Sequence, residues 1–268
     1  GTFSNKAPAC LKHTSRNAMG NDIADMNNDG LPDIIAVDMN PEDNYRKKKN
    51  LNENNYYYYK SMTQGDIMLQ YVRNTLQLHQ GLAMDTSGEL LPVFSDISYY
   101  AGVAETDWSW SSLFADFDND GFKDLFITNG YPKDVTDHDF AFFKSNYSKL
   151  ITKKELSDSI PQIRIPNYAY RNLATTLRFE NMSKEWGLNE SSFSAGAAYA
   201  DLDNDGDLDY IVNNINDIAF VYQNNSEKFQ PNNFLDIHFK GVDGNRFGIG
   251  AVARLYYDNG KIQEIGRA

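Results

Sequence analysis

The sequence predicts a mainly β fold assembled from repeated units, and three observations predict it. A nine-residue acidic pattern occurs three times, a short β-prone apolar run follows each copy, and small apolar residues precede the second and third. Self-similarity at this scale marks a chain built from one supersecondary unit used several times. The frame is set by 268 residues, 41% hydrophobic and 23% charged, enough for one large domain or two modest ones with a buried core.

The acidic copies are Asp25-Met-Asn27-Asn-Asp29-Gly30-Leu31-Pro-Asp33, Asp116-Phe-Asp118-Asn-Asp120-Gly121-Phe122-Lys-Asp124 and Asp201-Leu-Asp203-Asn-Asp205-Gly206-Asp207-Leu-Asp209. After them come Ile34-Ile-Ala-Val37, Leu125-Phe-Ile-Thr128 and Tyr210-Ile-Val212, runs that read as buried strands. Before the second and third lie Leu113-Phe114-Ala115 and Ala198-Tyr199-Ala200, read as another strand; the first copy lacks an obvious leading strand. A phenylalanine stands 22 positions ahead of each first Asp: Phe3, Phe94 and Phe179. Val72-Arg73-Asn74, Tyr170-Arg171-Asn172 and Tyr222-Gln223-Asn224 recur as a further strand and turn, giving roughly four strands per unit. Repeated four-stranded units suggest a partial β-propeller, three blades being too few to close one.

Two long inserts, 39–70 and 131–167, interrupt the units. Phe140, Phe143, Tyr147, Leu150 and Ile151 recur at helical spacing, and Thr152 to Glu155 reads as a capping box for a second helix. The first insert carries Lys47 to Lys49, expected as a solvated face, and the run Tyr56 to Tyr59, expected to pack the insert on its scaffold or offer a binding surface. Trp108 and Trp110 share a face if their segment is a strand, and core between blades is the expected place for them.

Alternating oxygen side chains that turn at a glycine converge on one point, and anions that close need a cation between them. A hard ion with flexible coordination fits, so three calcium sites are expected, while magnesium prefers fewer protein ligands. Positions 1, 3, 5 and 9 would give side-chain oxygens: Asp25, Asn27, Asp29 and Asp33; Asp116, Asp118, Asp120 and Asp124; Asp201, Asp203, Asp205 and Asp209. Position 7 would give backbone carbonyls from Leu31, Phe122 and Asp207, and Gly30, Gly121 and Gly206 would permit the turn. An EF-hand is excluded, because its twelfth position must be Glu and here it is Ala36, Ile127 and Val212.

Composition narrows function further. A formal charge of −12 argues against a nucleic-acid partner, and no apolar run reaches the ~20 residues that cross a bilayer. The single Cys10 excludes an internal disulfide and a multi-cysteine zinc site. Outside the loops, Asp134, Asp137, His138 and Asp139 are the clustered catalytic candidates, with Asp137 and Asp139 expected as helix caps and no catalytic residue expected. An exposed His138 would count against an enzyme.

At the acidic loops the sequence resembles the FG-GAP repeat, also described as the VCBS-type repeat and best known from the integrin α-chain β-propeller. The likeness runs over roughly residues 1–225, within a repeat region taken as 1–232. The resemblance implies one calcium ion per loop, between the first two strands of each blade. From 233 to 268 the chain resembles the opening of an ASPIC/UnbV module, through Asn245-Arg246, Gly248, Gly250 and Ala251. There Asn233 to Phe239 alternates like a half-buried strand. The inserts, with Pro41 to Tyr45 and Thr106 to Trp110, look like those of surface proteins of Bacteroidetes-type bacteria. These likenesses imply a secreted or outer-membrane-associated location and a chain cut from something longer. They imply a non-enzymatic scaffold that binds a protein or glycan, with a propeller-based polysaccharide lyase or hydrolase as the alternative.

Overall fold

A computed structural model describes residues 2–50, 56–65, 67–229, 232–235, 237–257 and 261–267. The chain opens with α1 (Ala7–Cys10), β1 (His13–Ser15), β2 (Gly20–Ala24), β3 (Asp33–Val37) and β4 (Met39–Asn40). The first insert carries α2 (Asn44–Lys49), α3 (Tyr56–Gln64) and β5 (Leu69–Tyr71). Then follow β6 (Thr75–Met84), β7 (Leu90–Asp96), α4 (Ser98–Ala101), β8 (Asp107–Ala115) and β9 (Asp124–Asn129). The second insert holds α5 (His138–Tyr147) and α6 (Lys153–Asp158), and β10 (Tyr168–Asn172) and β11 (Phe179–Asn181) complete that unit. The remainder is β12 (Ser194–Ala200), β13 (Asp209–Asn214), β14 (Phe220–Tyr222), α7 (Ser226–Phe229), β15 (Val252–Tyr257) and β16 (Lys261–Arg267).

The fold is mainly β, as the repeats require. Three antiparallel sheets dominate, ordered β2-β3-β6-β7, β11-β10-β9-β8-β4 and β12-β13-β14. Each acidic copy is the turn between the first two strands of a sheet: β2 to β3, β8 to β9, β12 to β13. The strand–loop–strand unit is therefore present in all three copies. The first copy does have a leading strand, β2; its sequence Gly-Asn-Asp-Ile-Ala hides it because only one large apolar residue is present.

Register corrects one expected equivalence. Gln77, Tyr170 and Tyr222 pair with Ile34, Leu125 and Tyr210, the residues just after each ninth Asp. The partner of Asn172 and Asn224 in the first unit is thus His79, not Asn74. Asn74 matches Asn167 instead: their side-chain oxygens accept the N–H groups of Asp38 and Asn129. Phe94 and Phe179 lie buried on β7 and β11, the last strands of the preceding sheets, while Phe3 is fully exposed.

Apolar side chains fill the spaces between neighbouring sheets. Met26, Ile35 and Leu76 of the first sheet join Phe114, Leu125 and Ile127 of the second in one cluster. Phe117, Phe126 and Ala169 of the second join Tyr210 and Val212 of the third in another. By register Met26, Phe117 and Leu202 are equivalent, as are Leu76, Ala169 and Val221. The first two members of each set are buried, whereas Leu202 and Val221 are 55% and 64% exposed. At these two positions that face of the third sheet is open to solvent.

The inserts are pinned rather than loose. Asp137 caps α5 by accepting the Phe140 N–H, and Thr152 with Glu155 forms the capping box that opens α6. Asp139 is no cap; its carboxylate pairs with Lys49 at 2.6 Å. Arg46 of α2 makes a fork to Asp107 at the start of β8 and reaches Asp134 of the second insert at 2.9 Å. Lys47 also pairs, with Glu105 at 2.7 Å, so the lysine run is not simply a solvated face. Trp108 and Trp110 do share a face, but they clasp Tyr131 at 5.0 and 5.3 Å instead of joining the core between sheets. Among the Tyr56–Tyr59 run, Tyr56, Tyr57 and Tyr59 are exposed and Tyr58 lies beneath the guanidinium of Arg16.

The C-terminal expectation needs revision. Residues 232–235 and 237–240 form no strand, and Phe234, Leu235, Ile237 and Phe239 are exposed. The alternation there is not matched by a pairing edge, which a half-buried strand requires. Pro231 and Asp236 lie outside the described residues. The strands of this region are β15 and β16, paired as an antiparallel hairpin.

Candidate metal centres

The three loops share one backbone path. The fourth residue is Asn in the left-handed region each time, at φ 58° for Asn28, 55° for Asn119 and 60° for Asn204. Gly30, Gly121 and Gly206 follow at φ 85°, 91° and 95°. Glycine enters that region freely and Asn tolerates it better than most residues, so Asn-Asp-Gly is the sequence that bends this way at least cost.

The first Asp of each loop anchors the turn. Asp25 accepts the Asp29 and Gly30 N–H groups, Asp116 those of Asp120 and Gly121, and Asp201 that of Gly206. The turn gathers Asp116, Asp118 and Asp120 so that one oxygen of each lies within 4.8 Å of the others, and it does the same for Asp201, Asp203 and Asp205. In the first loop Asn27 replaces one carboxylate, and its side-chain amide donates to Asp29 at 2.9 Å. The third loop has an outside donor, Gln223, whose amide meets Asp203 at 2.7 Å.

The ninth Asp does a different job from the trio. Asp33 accepts the N–H groups of Met26 and His79; Asp124 those of Phe117 and Asn172; Asp209 those of Leu202 and Asn224. Each is at most 2% exposed and ties the start of its loop to the third strand of its sheet or, for Asn224, to the residues just after it. It is through this bracket that His79 takes the place of Asn172 and Asn224.

Burial acts on these carboxyls in a consistent direction. It pushes Asp33 up to about 7, partly offset by the His79 and Met26 N–H groups. It pushes Asp116 up to about 6, with the charges of Asp120 and Asp118 adding to it. Asp124 is raised well above the ordinary carboxylate range, again by burial first and then by Asp118. Anions held close together and away from water favour a proton or a cation among them.

Side chains also link one loop to the next. Asn28 donates to the Gly121 carbonyl at 2.8 Å, and Asn119 donates to the Gly206 carbonyl at 3.2 Å. Asn172 reaches back to the Met26 carbonyl, and Asn224 to that of Phe117. Sequence reasoning passed over the fourth-position Asn, although its identity in all three copies was the available signal.

Beside the second loop a cavity of about 520 Å³ opens between the second and third sheets. Asp118, Arg171, Trp186, Tyr222, Gln223 and Phe229 are among its lining. Of the catalytic candidates, Asp137 and Asp139 line a second recess of about 280 Å³ with Lys49, where Asp137 caps α5 and Asp139 pairs with Lys49. His138 is exposed and not part of that lining, and Asp134 is buried against Arg46. Among the other histidines, His13 meets Asp96 at 2.8 Å, and Asp96 also pairs with Arg73. His79 stacks on Phe94, and its ring nitrogens are buried without a hydrogen-bond partner, so it is neither solvated nor satisfied.

No helix among the described residues is long and apolar enough to cross a membrane. No family model matches the chain, and no curated protein matches it in sequence.

Proposed function

We propose that this chain is a calcium-stabilised, non-enzymatic binding scaffold, a partial β-propeller of FG-GAP-like repeats. The observation that carries the reading is the repeated convergence of three acidic side chains on one turn, all of them hard oxygen donors. The donor set suits calcium: carboxylates, a side-chain amide oxygen at Asn27 and the position-seven carbonyls of Leu31, Phe122 and Asp207, with Asp33, Asp124 and Asp209 bracketing the loops. A bound divalent ion would neutralise carboxylates that otherwise repel at close range.

The propeller reading draws on the side-by-side arrangement of first strands. The Phe114 N–H on β8 donates to Asp22 on β2, and β12 packs in turn on β8. It draws also on the exposed Leu202 and Val221, whose equivalents are covered by the next sheet. Partner binding, to a protein or glycan outside the cell, is supported by the aromatic-lined recess beside the second loop and by the exposed tyrosines of the first insert.

The test is thermal unfolding in EDTA against a calcium titration, with magnesium alongside. A ligand at 100 times its dissociation constant adds about 2.7 kcal/mol per site. A calcium-specific rise in Tm, reduced by Asp120→Ala and by Asp205→Ala, is the expected result. A Tm indifferent to calcium would overturn the reading.

A further inference from the structure

The third loop differs from the other two at its seventh position, where Asp207 replaces Leu31 and Phe122. Its side chain is 1% exposed, an unusual place for a carboxylate without a cationic partner. One oxygen, Oδ2, accepts the Ser226 N–H at 3.0 Å and the Ser226 hydroxyl at 3.2 Å. The other, Oδ1, is buried with no hydrogen-bond partner. Glu227, next to Ser226 on α7, has a buried Oε2 in the same condition. Its Oε1 lies 3.4 Å from the Lys228 ammonium.

Asp205, Asp207 and Glu227 each bring one oxygen within 4.8 Å of the others. This trio is separate from Asp201, Asp203 and Asp205 except for Asp205 itself. Asp207 and Glu227 each keep one buried oxygen without a partner, and three carboxylates this close repel one another unless a proton or a cation lies between them. Ser226 occupies Oδ2 of Asp207, which leaves Oδ1 as the oxygen kept from solvent without a partner.

We propose that the third loop binds a second calcium ion through Asp205, Asp207 and Glu227, with Asp205 shared between two ions. The proposal rests on the reading of the acidic loops as calcium sites and extends it to a paired site that neither of the other loops can form. The donors are all hard oxygens, and Asp207 and Glu227 come from different segments, which gives calcium the flexible coordination it accepts. By joining loop three to α7, the ion would also fasten the chain just after the last strand of the third sheet.

The experiment counts bound calcium on the metal-stripped full chain, by equilibrium dialysis against millimolar calcium and elemental analysis. Relative to the unmodified chain, Glu227→Gln is expected to lose one ion, Asp203→Asn one, and the double variant two. Equal counts for Glu227→Gln and the unmodified chain, or a double variant that loses only one ion, would overturn the proposal. Asp118→Asn tests the loop reading separately: loss of its ion with Glu227→Gln unaffected sinks the paired site alone. No bound calcium in any chain sinks both. Tm keeps a folding defect distinct from a lost ion. Glu227→Gln should melt higher than the unmodified chain in EDTA, where repulsion is relieved, and gain less from calcium. A Tm lowered in both conditions would show a merely structural side chain.

Discussion

The side-chain amide of Asn119 donates to the carbonyl of Gly206 at 3.2 Å, joining the second acidic loop to the third. Asn28 makes the same link to Gly121 at 2.8 Å. One residue type thus bends its own loop and fastens the next, so the acidic loops are also the seams between sheets.

That double role can be split by substitution. Asn119→Gly keeps the backbone freedom and loses the link, at a cost of about 1 kcal/mol. Asn119→Ala loses the link and must hold φ near 55°, adding about 1–2 kcal/mol more. Chemical denaturation should therefore rank Ala below Gly, and equal stabilities would show that left-handed strain is not a determinant there.

The trio and the ninth Asp should respond oppositely in the absence of metal. Asp118→Asn removes one of three facing anions and is expected to hold or raise Tm in EDTA. Asp124→Ala strands the buried N–H groups of Phe117 and Asn172, at about 1–3 kcal/mol each. Its stability should fall with or without calcium. Matching behaviour of the two variants in EDTA would contradict the division of roles.

Acidity gives a second handle. Asp33 and Asp116 bind their protons more tightly folded than unfolded, their values being raised from 3.8 to about 7 and about 6. Between roughly pH 4 and 7 the folded state holds more protons, so the loops' contribution to stability falls as pH rises. In EDTA the Tm is expected to decline across that window. Saturating calcium, which binds the deprotonated carboxylates, should cancel or reverse the decline, and scans at stepped pH would check both signs.

Arg46 binds the inserts to the second sheet through Asp107 and Asp134, whose side chains are 9% and 1% exposed. Arg46→Met leaves two buried carboxylates without their cation, a loss of about 3–5 kcal/mol. Arg46→Lys cannot reproduce the fork and should recover only part. A near-neutral Arg46→Met in urea unfolding would mean the inserts do not depend on this pair.

Much of the fold is legible in local chemistry. The β-prone runs after each loop became β3, β9 and β13, and the glycines turned where a positive φ was required, since both depend on neighbours in sequence. The capping box at Thr152 is legible for the same reason. Long-range pairing is not: Asn74 resembles Asn172 in sequence, yet hydrogen-bond register puts His79 opposite the bracket of Asp33. The tryptophan pair likewise found Tyr131 because β9 pairs antiparallel with β8 and delivers the residues after Asn129 beside Trp108 and Trp110.

By itself the sequence determined the three acidic turns, their glycines and the strands on either side, because a turn's geometry and a strand's periodicity are written in adjacent residues. Tertiary structure alone decided which carboxylates from outside a loop would meet it. Asp207 looked like a donor of its backbone carbonyl only; Glu227, 20 positions on, reaches it because β13 and β14 pair antiparallel and return the chain to the loop. Electrostatics acts across space, so charges far apart in sequence become a site only when the sheet closes the distance.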